Sequence, residues 1–183
     1  MVSAAPAPHR LAFDESASLR KPAEELRARA WAAAASVVDP EVPVLTIEDL
    51  GVLRDVAIAD DGTVEVSITP TYSGCPAMTV IMLEVEFALE RAGIADARVK
   101  MVLSPAWTTD WMSEDGRRKL KDYGIAPPAP KASRRALFGV ETIACPQCGS
   151  ADTEKLAEFG STACKALWRC KSCREPFDHF KCI

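Results

Sequence analysis

The sequence predicts an α+β fold, in which helices cover one face of a small three-stranded sheet, followed by a separate cysteine-rich module. Two observations predict this architecture. Segments with apolar residues at helical spacing are interspersed with short segments in which apolar and polar residues alternate one by one. In addition, six of the seven cysteines lie from residue 145 onward, beyond a proline-rich stretch.

The first predicted helix runs from Pro22 to Val38. Proline suits the first helical turn, where its missing N–H would have no partner, and Glu24 and Glu25 lie near the positive end of the helix dipole. The helix is expected to end at the sequence VVDPEVP, because a residue that precedes proline is disfavoured in helical geometry. Residues 1–18, which are rich in Ala, Pro and Ser, are predicted to be a disordered N-terminus.

A hairpin, a helix, a third strand and a final short helix follow. Residues 52–59 and 63–69 have β-like patterns, and the Asp-Asp-Gly sequence between them is typical of a hairpin turn. Residues 76–92 carry an apolar stripe at helical spacing and end at a glycine, which commonly terminates helices. The sequence ARVKMVL predicts the third strand, and Ser113 is expected to cap the last helix.

The sequence predicts two domains, and its composition disfavours two classes of function. The proline-rich and basic stretch at residues 127–140 predicts a linker between an α+β domain at 19–126 and the cysteine-rich module at 141–183. The net charge of -4 provides no basic field for nucleic acid or an anionic membrane. No apolar run approaches the roughly 20 residues that a membrane helix needs. We therefore expect a cytoplasmic protein that binds neither nucleic acid nor a membrane.

The C-terminal cysteines are spaced as metal ligands. Cys145 and Cys148 form one Cys-x-x-Cys pair, Cys170 and Cys173 form a second, and Gly149 follows the first pair to relieve backbone crowding. Two such pairs complete a tetrahedral site with four cysteine ligands, so this module is predicted to be a zinc ribbon. An iron-sulfur cluster uses the same four thiolates, and the sequence leaves that alternative open.

The predicted metal has a structural role. A module of some 40 residues with few large apolar side chains cannot offset its chain entropy alone, whereas structural zinc contributes on the order of 10 to 16 kcal/mol. Four thiolate ligands leave no coordination position open for water, which a catalytic zinc requires. Cys164 and Cys182 lie outside the paired spacing, and they are interpreted either as free thiols or as additional metal ligands.

The seventh cysteine, Cys75, stands apart in the sequence TYSGCPAMT. If Pro76 is the first helical residue, Cys75 is the N-cap, and the helix dipole is expected to lower its pKa and favour the thiolate. Cys75 is then a candidate metal ligand or nucleophile, and packing in a tight turn is the alternative. No histidine, aspartate or second cysteine lies close in sequence to act as a base, which disfavours a Cys-His hydrolase.

Five stretches carry a resemblance to a known family. DPEVPVLTIEDLGVLRDVAI, ITPTYSGCPAMTVI and VLSPAWTTDWMSEDGRRKL resemble the iron-sulfur assembly domain of SufT-type proteins and of the eukaryotic cytosolic iron-sulfur targeting factors. EFGSTACKALWRC and EPFDHFKCI resemble the PaaD-type members of this family, which are accessory proteins of phenylacetyl-CoA epoxidase. The resemblance covers roughly residues 21–183.

The resemblance implies a second site. The family's Asp-Pro-Glu or Asp-Pro-Cys turn corresponds to the turn at Asp39, where Glu41 replaces the cysteine of some relatives and removes one cluster ligand. The family's cysteine corresponds to Cys75. The alternative role of Asp39 is to cap the turn. The alternative role of Thr69 and Thr71 is to hydrogen-bond backbone groups at the end of the strand through their hydroxyls. The implied binding residues for transient iron or an iron-sulfur cluster are Cys75, Asp39, Glu41, Thr69 and Thr71.

The expected function is a non-catalytic maturation factor. PaaD-type proteins are linked to the assembly of metal cofactors, with the oxygenase and reductase components of the epoxidase as the implied partners. A structural adaptor that transfers no metal is the alternative. One thiolate cannot saturate iron, so a second ligand must come either from Cys75 of a second protomer in a homodimer or from Cys164 and Cys182. A redox enzyme that uses Cys-x-x-Cys is disfavoured, because metal binding occupies those thiols.

Overall fold

The computed structural model describes residues 15–128 and 143–181. Most of the predicted disordered N-terminus and of the predicted linker therefore lies outside the described residues, but residues 15–18 are helical, so the prediction of disorder was wrong there. Helix α1 spans Glu15–Ala35 and encloses Pro22, so the predicted start at Pro22 was wrong. The predicted end at Val38 was also too late, because the chain leaves the helix through tight turns at Ser36 and Val37.

The first sheet follows the predicted pattern. Strands β1 (Leu53–Ile58) and β2 (Val64–Ile68) form an antiparallel hairpin. Helix α2 (Ala77–Arg91) then crosses over to β3 (Ala97–Met101), which pairs parallel to β2. Helices α1 and α2 pack against each other and against the sheet. The prediction of a three-stranded sheet covered by helices is confirmed.

The last helix of this domain packs on a loop. A short 3₁₀ helix (Thr109–Trp111) precedes α3 (Glu114–Asp122), and the Ser113 hydroxyl accepts a hydrogen bond from the Gly116 N–H at 2.8 Å, as predicted for the cap. The buried carboxylate of Asp49 accepts hydrogen bonds from the Ser113 hydroxyl at 3.1 Å and from Lys119 Nζ at 2.7 Å. These contacts fix α3 to the turn before β1.

The cysteine-rich module is a second, antiparallel sheet. Its strands are β4 (Thr153–Ala157), β5 (Lys165–Cys170) and β6 (Pro176–Phe180), arranged in that order. A ribbon of this size buries only a small apolar core of its own. Most of that core surrounds the cysteines, which is consistent with a module organised by a metal.

The ribbon also packs directly on the first domain. Phe180 and Cys164 belong to the same buried cluster as the helices and the first sheet. The rings of Phe180 and Trp107 meet edge to face, with centroids 6.2 Å apart. Ala126, after α3, donates its N–H to the Asp178 carbonyl at 2.8 Å and accepts from the Phe180 N–H at 2.9 Å. The two domains therefore share one apolar interface.

Among the described residues, no helix has the length and apolar character that crossing a membrane requires.

Candidate metal centres

Four thiols converge in the ribbon. The Sγ atoms of Cys145, Cys148, Cys170 and Cys173 all lie within 4.8 Å of one another. Cys145 and Cys173 Sγ are 3.7 Å apart, and Cys148 and Cys170 Sγ are 3.6 Å apart. A tetrahedral ion with metal-sulfur bonds of about 2.3 Å places its thiolates about 3.8 Å apart. The four thiols therefore fit one tetrahedral ion, and this spacing leaves no room for a cluster in which each thiolate binds a different iron.

Both Cys-x-x-Cys pairs use the same backbone turn. The Gly149 N–H donates to the Cys145 carbonyl at 2.9 Å, and the Arg174 N–H donates to the Cys170 carbonyl at 3.0 Å. Gly149 and Arg174 have φ angles of 75° and 70°. A Cβ added to Gly149 would contact no residue beyond its chain neighbours within 4 Å, so the crowding that this glycine relieves is that of its own left-handed backbone.

The turn also favours the thiolate form of one ligand. The backbone N–H of Cys173 lies 3.5 Å from Cys170 Sγ and donates to it. This hydrogen bond lowers the pKa of Cys170 to about 6. Thiolate is the form that binds a metal ion, so the chemistry of this donor set agrees with its geometry.

Cys75 lies just before helix α2, half-buried against the main core. The helix begins at Ala77 and Pro76 is its N-cap, so the predicted N-cap position of Cys75 was one residue off. Proline provides no side-chain oxygen or backbone N–H for capping. The Cys75 backbone is fixed at both ends, since its N–H donates to the Tyr72 carbonyl at 3.2 Å and its carbonyl accepts from the Met78 N–H at 3.4 Å.

The predicted lowering of the Cys75 pKa was wrong. Burial raises the pKa of the Cys75 thiol, and the nearby carboxylates of Glu41 and Asp39 raise it further. The backbone N–H groups at the start of α2 lower it, as the sequence predicted, but they do not outweigh burial. Without a bound cation, the thiol form of Cys75 is therefore favoured.

The turn at Asp39 brings a carboxylate to Cys75. Asp39 Oδ1 accepts hydrogen bonds from the backbone N–H groups of Glu41 at 2.7 Å and Val42 at 2.9 Å. Burial raises the pKa of Asp39. Asp39 thus shapes the turn, while the Glu41 side chain extends towards the ribbon.

Cys164 is the ribbon cysteine at this turn. Its buried Sγ lies 3.8 Å from Glu41 Oε2 and 3.0 Å from Thr162 Oγ1. Lys165 Nζ donates to the Glu41 carbonyl at 3.3 Å and lies 3.8 Å from Asp178 Oδ2. Burial raises the pKa of Cys164 to about 11. Glu41 and Cys164 are 123 residues apart in the chain, so their contact depends on domain packing.

Tyr72 is a site residue that the sequence reasoning missed. Burial raises its pKa to about 12, and the neighbouring groups Cys75, Glu41 and Cys164 add to that effect. Tyr72 therefore lies near groups from three separate segments. Its place three residues before Cys75, in the turn that holds Cys75, was the available signal.

The other predicted site residues are two threonines in the loop after β2 and one cysteine near the C-terminus. Thr69 and Thr71 are buried in the loop after β2, and the Thr69 N–H donates to the Val52 carbonyl at 2.8 Å, which extends the hairpin. Their proposed binding role stays a prediction. Cys182 lies outside the described residues.

Two family models match different parts of the chain. Residues 27–103 match the model of the iron-sulfur cluster assembly protein family, and residues 129–181 match the PaaD zinc beta ribbon domain. An Escherichia coli protein named as a component of 1,2-phenylacetyl-CoA epoxidase is 50% identical over 84% of this chain and 91% of its own length. The chain belongs to the PaaD family.

Relatives of the PaaD family's first domain include maturation factors. The Fe-S protein maturation auxiliary factor YitW of Bacillus subtilis is 38% identical over 49% of this chain and 88% of its own length. Among solved structures, the domain of unknown function DUF59 from Bacillus anthracis has a TM-score of 0.51 and 25% identity. It matches 55% of this chain and 96% of its own length. These matches confirm the fold and the relationship to iron-sulfur assembly proteins.

Proposed function

We propose that this protein is a non-catalytic factor that assists the assembly of iron or iron-sulfur cofactors in phenylacetyl-CoA epoxidase. The oxygenase and reductase components of the epoxidase are the proposed clients. The 50% identity to the Escherichia coli epoxidase component supports the partner, and the maturation factors among the relatives support the activity.

The observation that carries this proposal is the setting of Cys75. A half-buried thiol lies at the start of α2, where the helix N–H groups and the carboxylate of Glu41 both act on its pKa, and Glu41 also contacts the Cys164 thiol of the ribbon. Thiolate and carboxylate ligands bind divalent iron. Cys75 is a neutral thiol until it loses a proton to bind an ion.

The four-cysteine cluster has a different task in this proposal. Cys145, Cys148, Cys170 and Cys173 would hold zinc as a closed, tetrahedral site, and zinc would supply the folding energy of the ribbon. The ordered ribbon then presents Cys164 to the first domain.

Co-expression with the epoxidase components tests the proposal. We expect Cys75→Ser to leave the fold and the ribbon zinc intact while the iron content of the purified oxygenase and reductase falls at least fivefold. Thr79→Ser serves as the matched control, because it is an equally small change at an exposed position of the helix that Cys75 precedes. Full iron occupancy in clients that were expressed with Cys75→Ser would contradict the proposal.

A structural adaptor is the second candidate, and one surface favours it. Val80, Leu83 and Phe87 form an exposed apolar stripe along α2, each about half exposed. An apolar surface of this kind is typical of protein contacts. An adaptor would lose the epoxidase when Phe87 is changed to a charged residue, would tolerate Cys75→Ser, and would be needed stoichiometrically during turnover. A maturation factor would be dispensable once the clients are loaded.

A further inference from the structure

Helix α2 has two apolar faces. One face is buried in the core of the first domain and includes Ile81 and Val85. The other is the exposed apolar stripe of Val80, Leu83 and Phe87, which recur at helical spacing on the opposite side of the helix. A helix that packs on one side of a domain ordinarily exposes polar residues on the other. The part of the chain that the structure describes leaves this second face uncovered.

A groove continues the stripe towards the end of α1. It has a volume of about 370 Å³ and lies between α2 and the turn that follows α1. Val38 and Pro40 of the turn and Val80 of the stripe line it, and Val38 is about half exposed, as Val80 is. The stripe and the groove together form an apolar surface of the kind that receives a helix from another protein.

The rim of this surface is acidic. Successive residues of a helix are rotated by about 100°, so Glu86 and Glu90 border the stripe on one side. Glu84 and Arg91 border it on the other side, where both line the groove. Within residues 15–128 and 143–181, none of the three glutamates forms an ion pair, whereas other surface carboxylates of this domain are paired with lysine or arginine. Three glutamates against one arginine leave the rim negative.

We propose that the stripe and the groove bind a short amphipathic helix of a partner protein, in which lysine or arginine residues border the apolar face. Apolar residues at helical spacing would cover the stripe and enter the groove, while the basic side chains pair with the rim glutamates. For the identity of the partner, a component of the epoxidase, this proposal rests on the function proposed above. A maturation factor and an adaptor both need a surface that holds the client.

Two other occupants fit this surface less well. An added β-strand needs free backbone N–H and C=O groups at the edge of a sheet, whereas the backbone groups in the middle of α2 are bonded within the helix. A second copy of this chain would place the same acidic rim against itself, because a twofold interface joins identical patches. Like charges oppose that association.

Binding of the full-length, zinc-loaded chain to the purified oxygenase and reductase components tests the proposal. We expect at least one component to bind, with a Kd that rises about fivefold between about 50 and 300 mM salt, because salt screens charge pairs. Phe87→Asp should weaken binding at least tenfold, since it places a charge in the apolar stripe. Glu86→Lys combined with Glu90→Lys should weaken binding by a similar factor and remove the salt dependence.

Matched variants separate the position of a change from its chemistry. Phe159→Asp alters an exposed phenylalanine of the ribbon, and Glu24→Lys combined with Glu25→Lys makes the same change of charge at exposed positions of α1. Both should bind the partner as the unmodified chain does. Zinc content and Tm equal to those of the unmodified chain show that each variant is folded.

Hydrogen exchange in the complex locates the contact. We expect slower exchange at residues 36–40 and 80–91 of this chain, and in one helical segment of the partner that has lysine or arginine beside its apolar face. The proposal is overturned if neither component binds, if the protected partner segment is extended or acidic, or if Phe159→Asp weakens binding as much as Phe87→Asp. It is also overturned if the stripe joins two copies of this chain in a dimer that Phe87→Asp dissociates, or if binding requires removal of residues 1–14.

The docking proposal and the maturation proposal fail in different ways. If Cys75→Ser lowers client iron but Phe87→Asp binds the client normally, the maturation function stands and the docking surface is wrong. If Phe87→Asp loses the client as expected but clients load fully with Cys75→Ser, the docking surface stands and the maturation function is wrong.

Discussion

The two groups of cysteines in this protein differ in how they are built. The four-cysteine cluster draws all its ligands from two local turns of the ribbon, with every Sγ within 4.8 Å of the others. Cys75 of the first domain and Cys164 of the ribbon instead both interact with Glu41, whose Oε2 lies 3.8 Å from Cys164 Sγ. The geometry of the four-cysteine cluster is set by local turns, whereas the contact of Glu41 with Cys164 depends on how the domains meet.

The difference is also electrostatic. A backbone N–H lowers the pKa of Cys170 to about 6, whereas burial raises the pKa of Cys164 to about 11. The thiolate form of Cys170 is therefore favoured before any metal arrives, whereas Cys164 is a neutral thiol that must lose a proton before it binds an ion.

Loss of a ribbon ligand should have the largest effect. We expect Cys170→Ser to release the zinc and unfold the ribbon, with a loss on the order of 10 kcal/mol of metal-coupled folding energy. Because Phe180 and Cys164 of the ribbon complete the core of the first domain, that domain should also lose stability. Zinc analysis and thermal unfolding measure both effects. Cys75→Ser is the control, and an unchanged Tm for Cys170→Ser would show that the cluster does not organise the ribbon.

Truncation at the interface should separate the two groups. Phe180→Ala removes a buried ring that contacts Trp107, and we expect a loss of about 4 kcal/mol in the free energy of unfolding. Zinc should remain at one per chain, since no ligand is changed, while the contact between Glu41 and Cys164 across the interface should loosen and expose the Cys164 thiol. Denaturant unfolding, zinc analysis and the rate of thiol labelling provide the measurements. Loss of zinc in Phe180→Ala would mean that the two groups are not independent.

Acid should weaken the interface through His179. This residue of β6 is buried, and burial lowers its pKa to about 4 from an ordinary value of 6.5. The unfolded chain therefore binds more protons between those pH values, so stability falls as the pH decreases from 6.5 and the loss is complete near pH 4. The shift corresponds to about 3 kcal/mol.

Comparison with His179→Phe isolates this contribution. Both chains lose zinc in acid through protonation of the same thiols, so the difference between their unfolding free energies reports the histidine. We expect that difference to change by about 3 kcal/mol between about pH 7 and pH 4 in favour of the variant. Parallel pH profiles would exclude His179 as a source of acid sensitivity.

The smallest expected effect concerns the two turns of the cluster. Arg174 occupies the left-handed conformation that Gly149 occupies in the other turn. Arg174→Gly should therefore stabilise the ribbon by about 1 kcal/mol, and Gly149→Ala should destabilise it by a similar amount. Chemical denaturation of zinc-loaded protein measures both changes. Destabilisation by Arg174→Gly would show that the arginine side chain contributes more than the backbone conformation costs.

Sequence patterns were reliable where the cause is local. The hairpin, α2, the third strand and the Ser113 cap depend on residues within a few positions of one another, and all were predicted. The predicted start of α1 was wrong because this exposed helix tolerates Pro22 in its interior, whereas proline in general favours the first helical turn. The pKa of Cys75 was wrong because the sequence shows the helix start but not the burial around it.

The sequence by itself determined the fold class and the grouping of the four ribbon cysteines, because periodicity and Cys-x-x-Cys spacing act over short distances in the chain. Only the tertiary structure decided that Cys164 and Glu41 meet, that Tyr72 joins them, and that both thiols are neutral in the absence of a cation. Those properties come from burial between two domains, and a separation of 123 residues leaves no trace of that contact in local sequence.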